Sequence, residues 1–367
     1  MSLCRIRGLR ASGRTSALPA PPLALLVLAL ALCLPASSAA AQTAPPGFFG
    51  VDASSSEAAD FAGMAAADVG VTRAVFPFQV LKQGPDEPYF WGYSDHLVKA
   101  TANNGMDLIP TLYGAPPWIS EELNKTPLHG ESRRAWGQLL IETVGRYGPG
   151  GEFWALNPAV PYRPIGTWQI WNEPNSVTWW GPRPRPLEYA TLLRRSERAI
   201  HYVDPNALIL SAGIVARPTN NNKIPGTTFM SKLFAARGIA EIVDAVAYHP
   251  FAPSVAGVRR QLRDARVVLR DHGAGQTPLW ITEIGWGSAG PRGHPLIKSA
   301  RGQNRALRDT FEMVLAERER LGIARLLWYQ WKDGGDDLCL WCETSGLVDR
   351  ASAPKLLLET FRQIATR

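Results

Sequence analysis

Clusters of histidine and cysteine with metal-ligand spacing are missing from this sequence, so no motif argues for a bound metal. Cysteine itself is scarce. Of four, Cys4 and Cys33 lie near the N-terminus, leaving Cys339 and Cys342 in Cys-Leu-Trp-Cys. In an exported chain that pair either closes a small disulfide or stays as two thiols. It sits in a Gly/Asp loop and not at the start of a helix, which speaks against a redox role. A glycine-rich phosphate loop is also lacking. The first crossover reads Asp52-Ala-Ser-Ser-Ser, which removes the attraction of an open doubly wound sheet. There is no Pro/Ser/Gly linker, low-complexity tract or close repeat after residue 41.

Acidic residues are absent from residues 1–41, where Arg5, Arg7, Arg10 and Arg14 form a positive leader. Leu23 to Leu34 is apolar but too short for a comfortable membrane span. Small residues ending at Ala41 provide a cleavage site before Gln42. Residues 1–41 are therefore expected to be a secretory signal peptide, and 42–367 the mature chain. The alternatives are an uncleaved anchor, or a lipoprotein, for which Leu32 stands where a small residue would be needed before Cys33. The expected location is extracellular or periplasmic, with no stable membrane insertion after cleavage. Without a paired-arginine signal, the general export route is expected.

Four of the charges in the formal +7 belong to those arginines, so the mature chain carries about +3. That excess is too small and too scattered to indicate a nucleic-acid footprint, and a neutral or mildly acidic substrate fits equally well. Roughly 325 residues remain, enough for two average domains or one large barrel.

Short β-prone runs alternate with helical patterns throughout. Strands are expected at 48–52, 71–76, 107–113, 167–171, 207–213, 243–249, 279–283 and 324–331. Helices are expected at 54–68, 94–104, 131–147, 186–203, 227–237, 255–272, 297–320 and 354–365. In the fourth, Tyr189, Leu192, Leu193, Ser196, Ile200 and Val203 share one face; in the sixth, Val258, Leu262, Ala265 and Leu269 do. Eight strand–helix units with near-continuous apolar strands fit a single (β/α)8 barrel.

Two glutamates then stand out. Glu173 lies in Trp-Gln-Ile-Trp-Asn-Glu-Pro-Asn and Glu283 in Leu-Trp-Ile-Thr-Glu-Ile-Gly-Trp. A carboxylate at the carboxyl end of a buried strand is costly unless used or paired. Barrel active sites lie at those strand ends, so side chains 110 residues apart in sequence can face each other across the mouth. A pair of carboxylates is what glycosidic bond cleavage needs, one as acid and one as nucleophile or base.

Trp-Asn-Glu-Pro after the fourth strand, with Thr-Glu-Ile-Gly-Trp at the seventh, resembles the clan A retaining glycoside hydrolases. Within the clan the pattern is most similar to family thirty-nine and related secreted bacterial enzymes, with family five more distant. The resemblance covers nearly the whole mature chain. It implies Glu173 as acid/base, Glu283 as nucleophile, Asn172 at the sugar 2-hydroxyl and Arg73 holding the nucleophile ionised. It also implies Tyr248 and His249 as an aromatic and polar position near the nucleophile, and Trp328 or Trp331, with Trp331 preferred, as the sugar-stacking platform. Adjacent Tyr-His on strand six and the Asp333–Cys342 loop depart from the commonest clan pattern.

The activity this implies is hydrolysis of a β-linked glycan without metal or organic cofactor. The alternatives are a transglycosylase using the same site and a catalytically inactive carbohydrate-binding barrel. Which sugar is bound, endo or exo action and oligomeric state stay open. Trp91, Trp118, Trp179 and Trp180 lie in loops on the expected active-site side, where half would stack on sugars and half would pack. Asp333, Asp336 and Asp337 read as a solvated acidic loop more readily than as a calcium site.

Overall fold

A computed structural model describes residues 43–122, 124–218, 223–334 and 339–367. The proposed signal segment lies outside these residues, as do Asp336 and Asp337. The described residues belong to one compact unit, Ala41–Arg367.

Among the described residues, nine strands form one sheet: β1 (Phe49–Asp52), β2 (Val71–Pro77), β3 (Asp107–Tyr113), β4 (Thr167–Ile170), β5 (Leu208–Leu210), β6 (Ile214–Val215), β7 (Val246–His249), β8 (Leu279–Ile284) and β9 (Ile323–Trp328). The helices are α1 (Ala58–Ala66), α2 (Phe78–Leu81), α3 (Gly92–Asn103), α4 (Gly130–Tyr147), α5 (Glu152–Leu156), α6 (Pro186–Val203), α7 (Gly226–Phe234), α8 (Ile239–Ile242), α9 (Val255–Asp271), α10 (Ala300–Leu321) and α11 (Leu356–Ala365). Every strand pairing within the sheet is parallel, in the order β5-β4-β3-β2-β1-β9-β8-β7-β6. The end strands β5 and β6 are consecutive in the chain. Isolated parallel bridges join Leu210 to Ala245 and Asn172 to Gly213. The sheet curls accordingly into a (β/α)8-type arrangement.

The strand expected at 207–213 is the main departure. It divides into β5 and β6, because Ser211 turns its hydroxyl to backbone at Ala212 and Ala247. Three short helices, α2, α5 and α8, lie outside the eight expected.

Side chains divide by strand parity. Val71, Ile109, Leu210, Ala245, Ala247, Trp280 and Leu327 form an inner core. The alternate residues pack outward under the helices. Both expected helix stripes meet that outer layer: Val258, Leu262, Ala265 and Leu269 of α9 are fully buried, as are Tyr189, Leu192, Leu193, Ser196 and Ile200 of α6. Val203, at the end of α6, is only half-buried. Each buried leucine there is worth about 2–5 kcal/mol against truncation to alanine. Local chemistry sets the ends. Pro186 opens α6, Ser254 and Ser299 cap α9 and α10 through the amides of Gly257 and Gly302, and Gly322, with φ +61°, stops α10.

Cys339 and Cys342 form a disulfide, which resolves the alternative left by spacing alone. No described helix is long and apolar enough to cross a membrane.

Candidate active site

The inner parity runs up each strand to the carboxyl end, and there it turns polar. On β1 it ends at Asp52, on β2 it includes Arg73, and on β7 it ends at His249. β8 breaks the alternation. Ile281 pairs with Leu326 and Ile284 with Trp328, so β8 spends three residues against two on β9. This bulge lets the consecutive Thr282 and Glu283 both reach the mouth.

Arg73 is the hub, with only 2% of its surface exposed. Its Nη1 donates to Asp52 Oδ2 at 2.7 Å and to Glu283 Oε1 at 2.8 Å. Its Nε donates to Gln169 Oε1 at 2.9 Å, and Nη2 to Asn172 Oδ1 at 2.9 Å. One guanidinium thus ties together β1, β2, β4 and β8. Burial alone would lower its pKa, but Glu283 and Asp52 outweigh that and raise it. Arg73 stays charged.

After β4 the chain turns sharply. Trp171 has φ +75° and Glu173 φ +38°, a region that side-chain-bearing residues seldom occupy. Strain of about 1–3 kcal/mol per residue is typical of such positions. Packing holds the turn. Trp171 is fully buried against Trp136 and Trp180, and its Nε1 donates to the carbonyl of Trp179. Asn175 clamps the far side, donating to the carbonyls of Val215 and Ile224. Asn172 and Glu173 are thereby directed to the mouth.

His249 joins the two glutamates. Its Nδ1 lies 2.8 Å from Glu173 Oε1, and its Nε2 lies 3.0 Å from Thr282 Oγ1 and 3.5 Å from Glu283 Oε1. Burial, with Arg73 opposing the pull of Glu283, lowers its pKa to about 4. The ring is therefore neutral near pH 7 and carries one N–H. With Glu173 Oε1 as the acceptor, that proton sits on Nδ1 and Nε2 accepts from Thr282. Gly213 lies against this ring so closely that a Cβ there would overlap it.

Glu283 is buried, and burial raises its pKa to about 7 against the lowering effects of His249 and Arg73. One oxygen of Glu283, one oxygen of Glu173 and one His249 nitrogen lie within 4.8 Å of each other. Such a triad has the ligand types for a divalent cation. Here both imidazole nitrogens are engaged, and the Arg73 guanidinium already sits against Glu283, so the donor set suits proton chemistry better than metal binding.

The mouth thus brings together Glu173, Glu283, Asn172, Arg73 and His249 of the residues singled out from sequence. Three others are corrected. Tyr248 is one residue out of phase with Ala247 and His249, and packs outward in the outer core at 1% exposure. Trp328 is likewise out of phase with Leu327. It is fully buried against Phe311 and Trp286 and donates to the carbonyl of Ser345. Trp331, 2% exposed, packs against Gly63 of α1. None of the three offers a face to a sugar.

The aromatic residue in phase at the end of the last strand is Tyr329, one residue past β9 and half-buried, whose ring meets Trp341, which in turn meets Phe251. Counting two residues on from Leu327 would have found Tyr329; Asp52, Gln169 and Thr282 were also passed over. Of the loop tryptophans, Trp180 is core and Trp91 stacks on Tyr89. Trp118 donates to Glu131, and Trp179 is half-buried against Tyr113. Asp333 is spent on Lys355 and the amide of Gly346.

No protein-family model matches the sequence, and no curated protein does. Solved structures do match. A family 39 glycoside hydrolase from the gut symbiont Bacteroides cellulosilyticus WH2 superposes with TM-score 0.65 at 17% identity, over 88% of this chain and 64% of its own. In fold, the chain is similar to glycoside hydrolases. A monomeric β-xylosidase from Caulobacter crescentus CB15 gives TM-score 0.65 at 16% identity, over 88% of this chain and 69% of its own. An exo-β-1,4-mannosidase from Opitutaceae bacterium strain TAV5 gives 0.56 at 20% identity, over 84% and 55%. The chain spans about two thirds or less of the length of the first and third of these glycosidases. At these identities the likeness is one of fold.

Proposed function

We propose that the chain is an exported retaining glycosidase on a closed (β/α)8 barrel, cleaving a β-linked O-glycoside by double displacement. The observation that carries this reading is the spacing of Glu173 and Glu283, whose oxygens approach within 4.8 Å. Retaining pairs stand about 5–5.5 Å apart, whereas inverting pairs stand about 6.5–9.5 Å apart to admit a water. The similar structures include a β-xylosidase and an exo-β-1,4-mannosidase, which supports a β-linked sugar as substrate.

In the first step Glu173 gives its proton to the leaving oxygen while Glu283 attacks the anomeric carbon, forming a glycosyl ester and releasing the aglycone. In the second, ionised Glu173 takes a proton from water, whose oxygen displaces Glu283 and restores the free carboxylate. His249 Nδ1–H steadies the ionised form of Glu173 between the steps. Asn172 presents its oxygen to Arg73, which leaves the amide N–H groups to donate to the sugar 2-hydroxyl. Arg73 supplies the positive charge that favours ionised Glu283. Removal of residues 1–41 during export belongs to the same proposal.

A panel of aryl β-glycosides assayed with wild type, Glu173→Ala and Glu283→Ala tests the reading. Each substitution is expected to reduce turnover at least about a hundredfold. Azide should rescue Glu283→Ala with an inverted glycosyl azide, and Glu173→Ala with a retained one. Turnover within about tenfold of wild type in either variant contradicts the assignment.

A further inference from the structure

Arg73 Nη1 is hydrogen-bonded to two carboxylates at once, Asp52 at 2.7 Å and Glu283 at 2.8 Å. Only Glu283 has a part in the chemistry set out above. Asp52 ends β1 in the inner phase, and its side chain is 13% exposed. A carboxylate placed here has a cost, because two like charges share one cation in a buried site. Fixing the guanidinium alone would not require that charge: Gln169 and Asn172 already hold Nε and Nη2 with neutral oxygens. An asparagine at position 52 would offer the same acceptor without the charge.

We propose that Asp52 is a positioning residue that divides the charge of Arg73 with Glu283, and so sets the pH at which Glu283 becomes available as a nucleophile. The proposal rests on the reading of Glu283 as nucleophile. Two effects act in one direction. Asp52 draws part of the guanidinium's field away from Glu283, and its own negative charge opposes a second one nearby. The other groups facing Glu283 are Glu173 from the β4 turn and His249 from β7, with the Tyr329 phenol just after β9 close to Arg73. Asp52 itself also faces Tyr93 of α3, with Tyr113 of β3 beyond it. The two glutamates and the histidine take part in the reaction or touch it. Asp52 is the charge in the group that can be removed without touching the proton path.

The consequence is a site poised between protonation states. With Asp52 charged, Glu283 ionises only near neutral pH; with the charge gone, Glu283 should ionise earlier. Coulomb's law for carboxylates on a common nitrogen, at the effective dielectric of a partly wet site, gives a downward shift of about one pH unit.

The test is the conservative variant Asp52→Asn, which keeps the hydrogen bond to Arg73 and removes only the charge. Glu283 is followed directly by carboxyl carbon NMR of protein labelled at glutamate, its signal assigned by loss in Glu283→Gln. A midpoint about one unit lower than wild type is expected, with the acid limb of kcat/KM on an aryl glycoside moving by the same amount. A midpoint unchanged within about 0.2 units overturns the proposal, leaving Asp52 as a structural anchor. Asp52→Ala separates the anchoring role, since it removes the hydrogen bond as well and should also lower the melting temperature. The NMR midpoint reads the coupling whether or not the wild type turns over glycosides. A shifted midpoint without any wild-type turnover would therefore refute the glycosidase reading and leave the charge division standing.

Discussion

Replacing Arg73 by methionine is the most severe single perturbation this site can receive without changing its volume much. In wild type the guanidinium satisfies Asp52, Glu283, Gln169 and Asn172. The variant leaves two carboxylates and two amide oxygens facing a thioether. Breaking a buried pair by removing one partner costs about 3–5 kcal/mol. For a chain of this length, that corresponds to a fall in melting temperature of about 5–10 °C. The pH dependence adds a sign. Without Arg73, Glu283 would hold its proton to a pH above its present value of about 7. The stability gap between wild type and variant should therefore be widest above about pH 8 and narrow as the pH falls below about 6, where Glu283 is neutral. Thermal melts and urea titrations at pH 8 and pH 5.5, the latter with unchanged slopes, would measure both quantities. A variant melting within about 2 °C of wild type at pH 8, or a gap that stays constant with pH, would refute the account of Arg73 as hub.

Further outcomes follow from the same geometry. Because Glu283 is raised from 4.5 to about 7, kcat/KM should fall about tenfold per unit below that pH as the proposed nucleophile binds a proton. For the same reason the group's contribution to stability is lost as pH rises from 4.5 to 7, and a stability–pH curve of Glu283→Gln should lack that decline. Gly213→Ala should force the His249 ring away from Glu173, lowering kcat much more than KM while the far-ultraviolet circular dichroism stays native. Reducing Cys339–Cys342, or replacing both by serine, should cost about 2 kcal/mol by loop-closure entropy, read as a lower urea midpoint.

Much of this arrangement was legible in the residues. The eight strand–helix units follow from period, because parallel strands buried on both faces read as short apolar runs between longer amphipathic ones. Glu173 and Glu283 were conspicuous as carboxylates at the ends of such runs, whereas Arg73, Asn172 and His249 were reached through the family resemblance. Parity was the weaker guide. Tyr248 and His249 are adjacent, and on a strand without a bulge only one of two neighbours can face the barrel mouth. The small Ala245 and Ala247 mark the inner phase and thereby select His249. The same count on β9 favours Tyr329 over Trp328. What could not be read is the bulge in β8, since two versus three residues of pairing depends on the neighbouring strand. Asp52 was hidden for a different reason: a lone aspartate before a serine run resembles a helix-capping turn until its guanidinium partner is in place.

That bulge makes the site depend on the number of residues as well as on their kinds. Side chains alternate with a period of two, so the local surplus residue between Ile281 and Ile284, offset by an opposite shift at Leu279–Trp280, is what lets Thr282 and Glu283 face the same way. Deleting one residue from the segment would preserve every chemical type at the mouth except one. It would nevertheless bring the strand back into phase and merge the supports of His249 and Arg73 into a single position. Grafting this constellation onto another barrel would fail for the same reason unless the surplus residue came with it. The constellation is stored partly as a length, which substitution scanning does not probe and insertion–deletion scanning does.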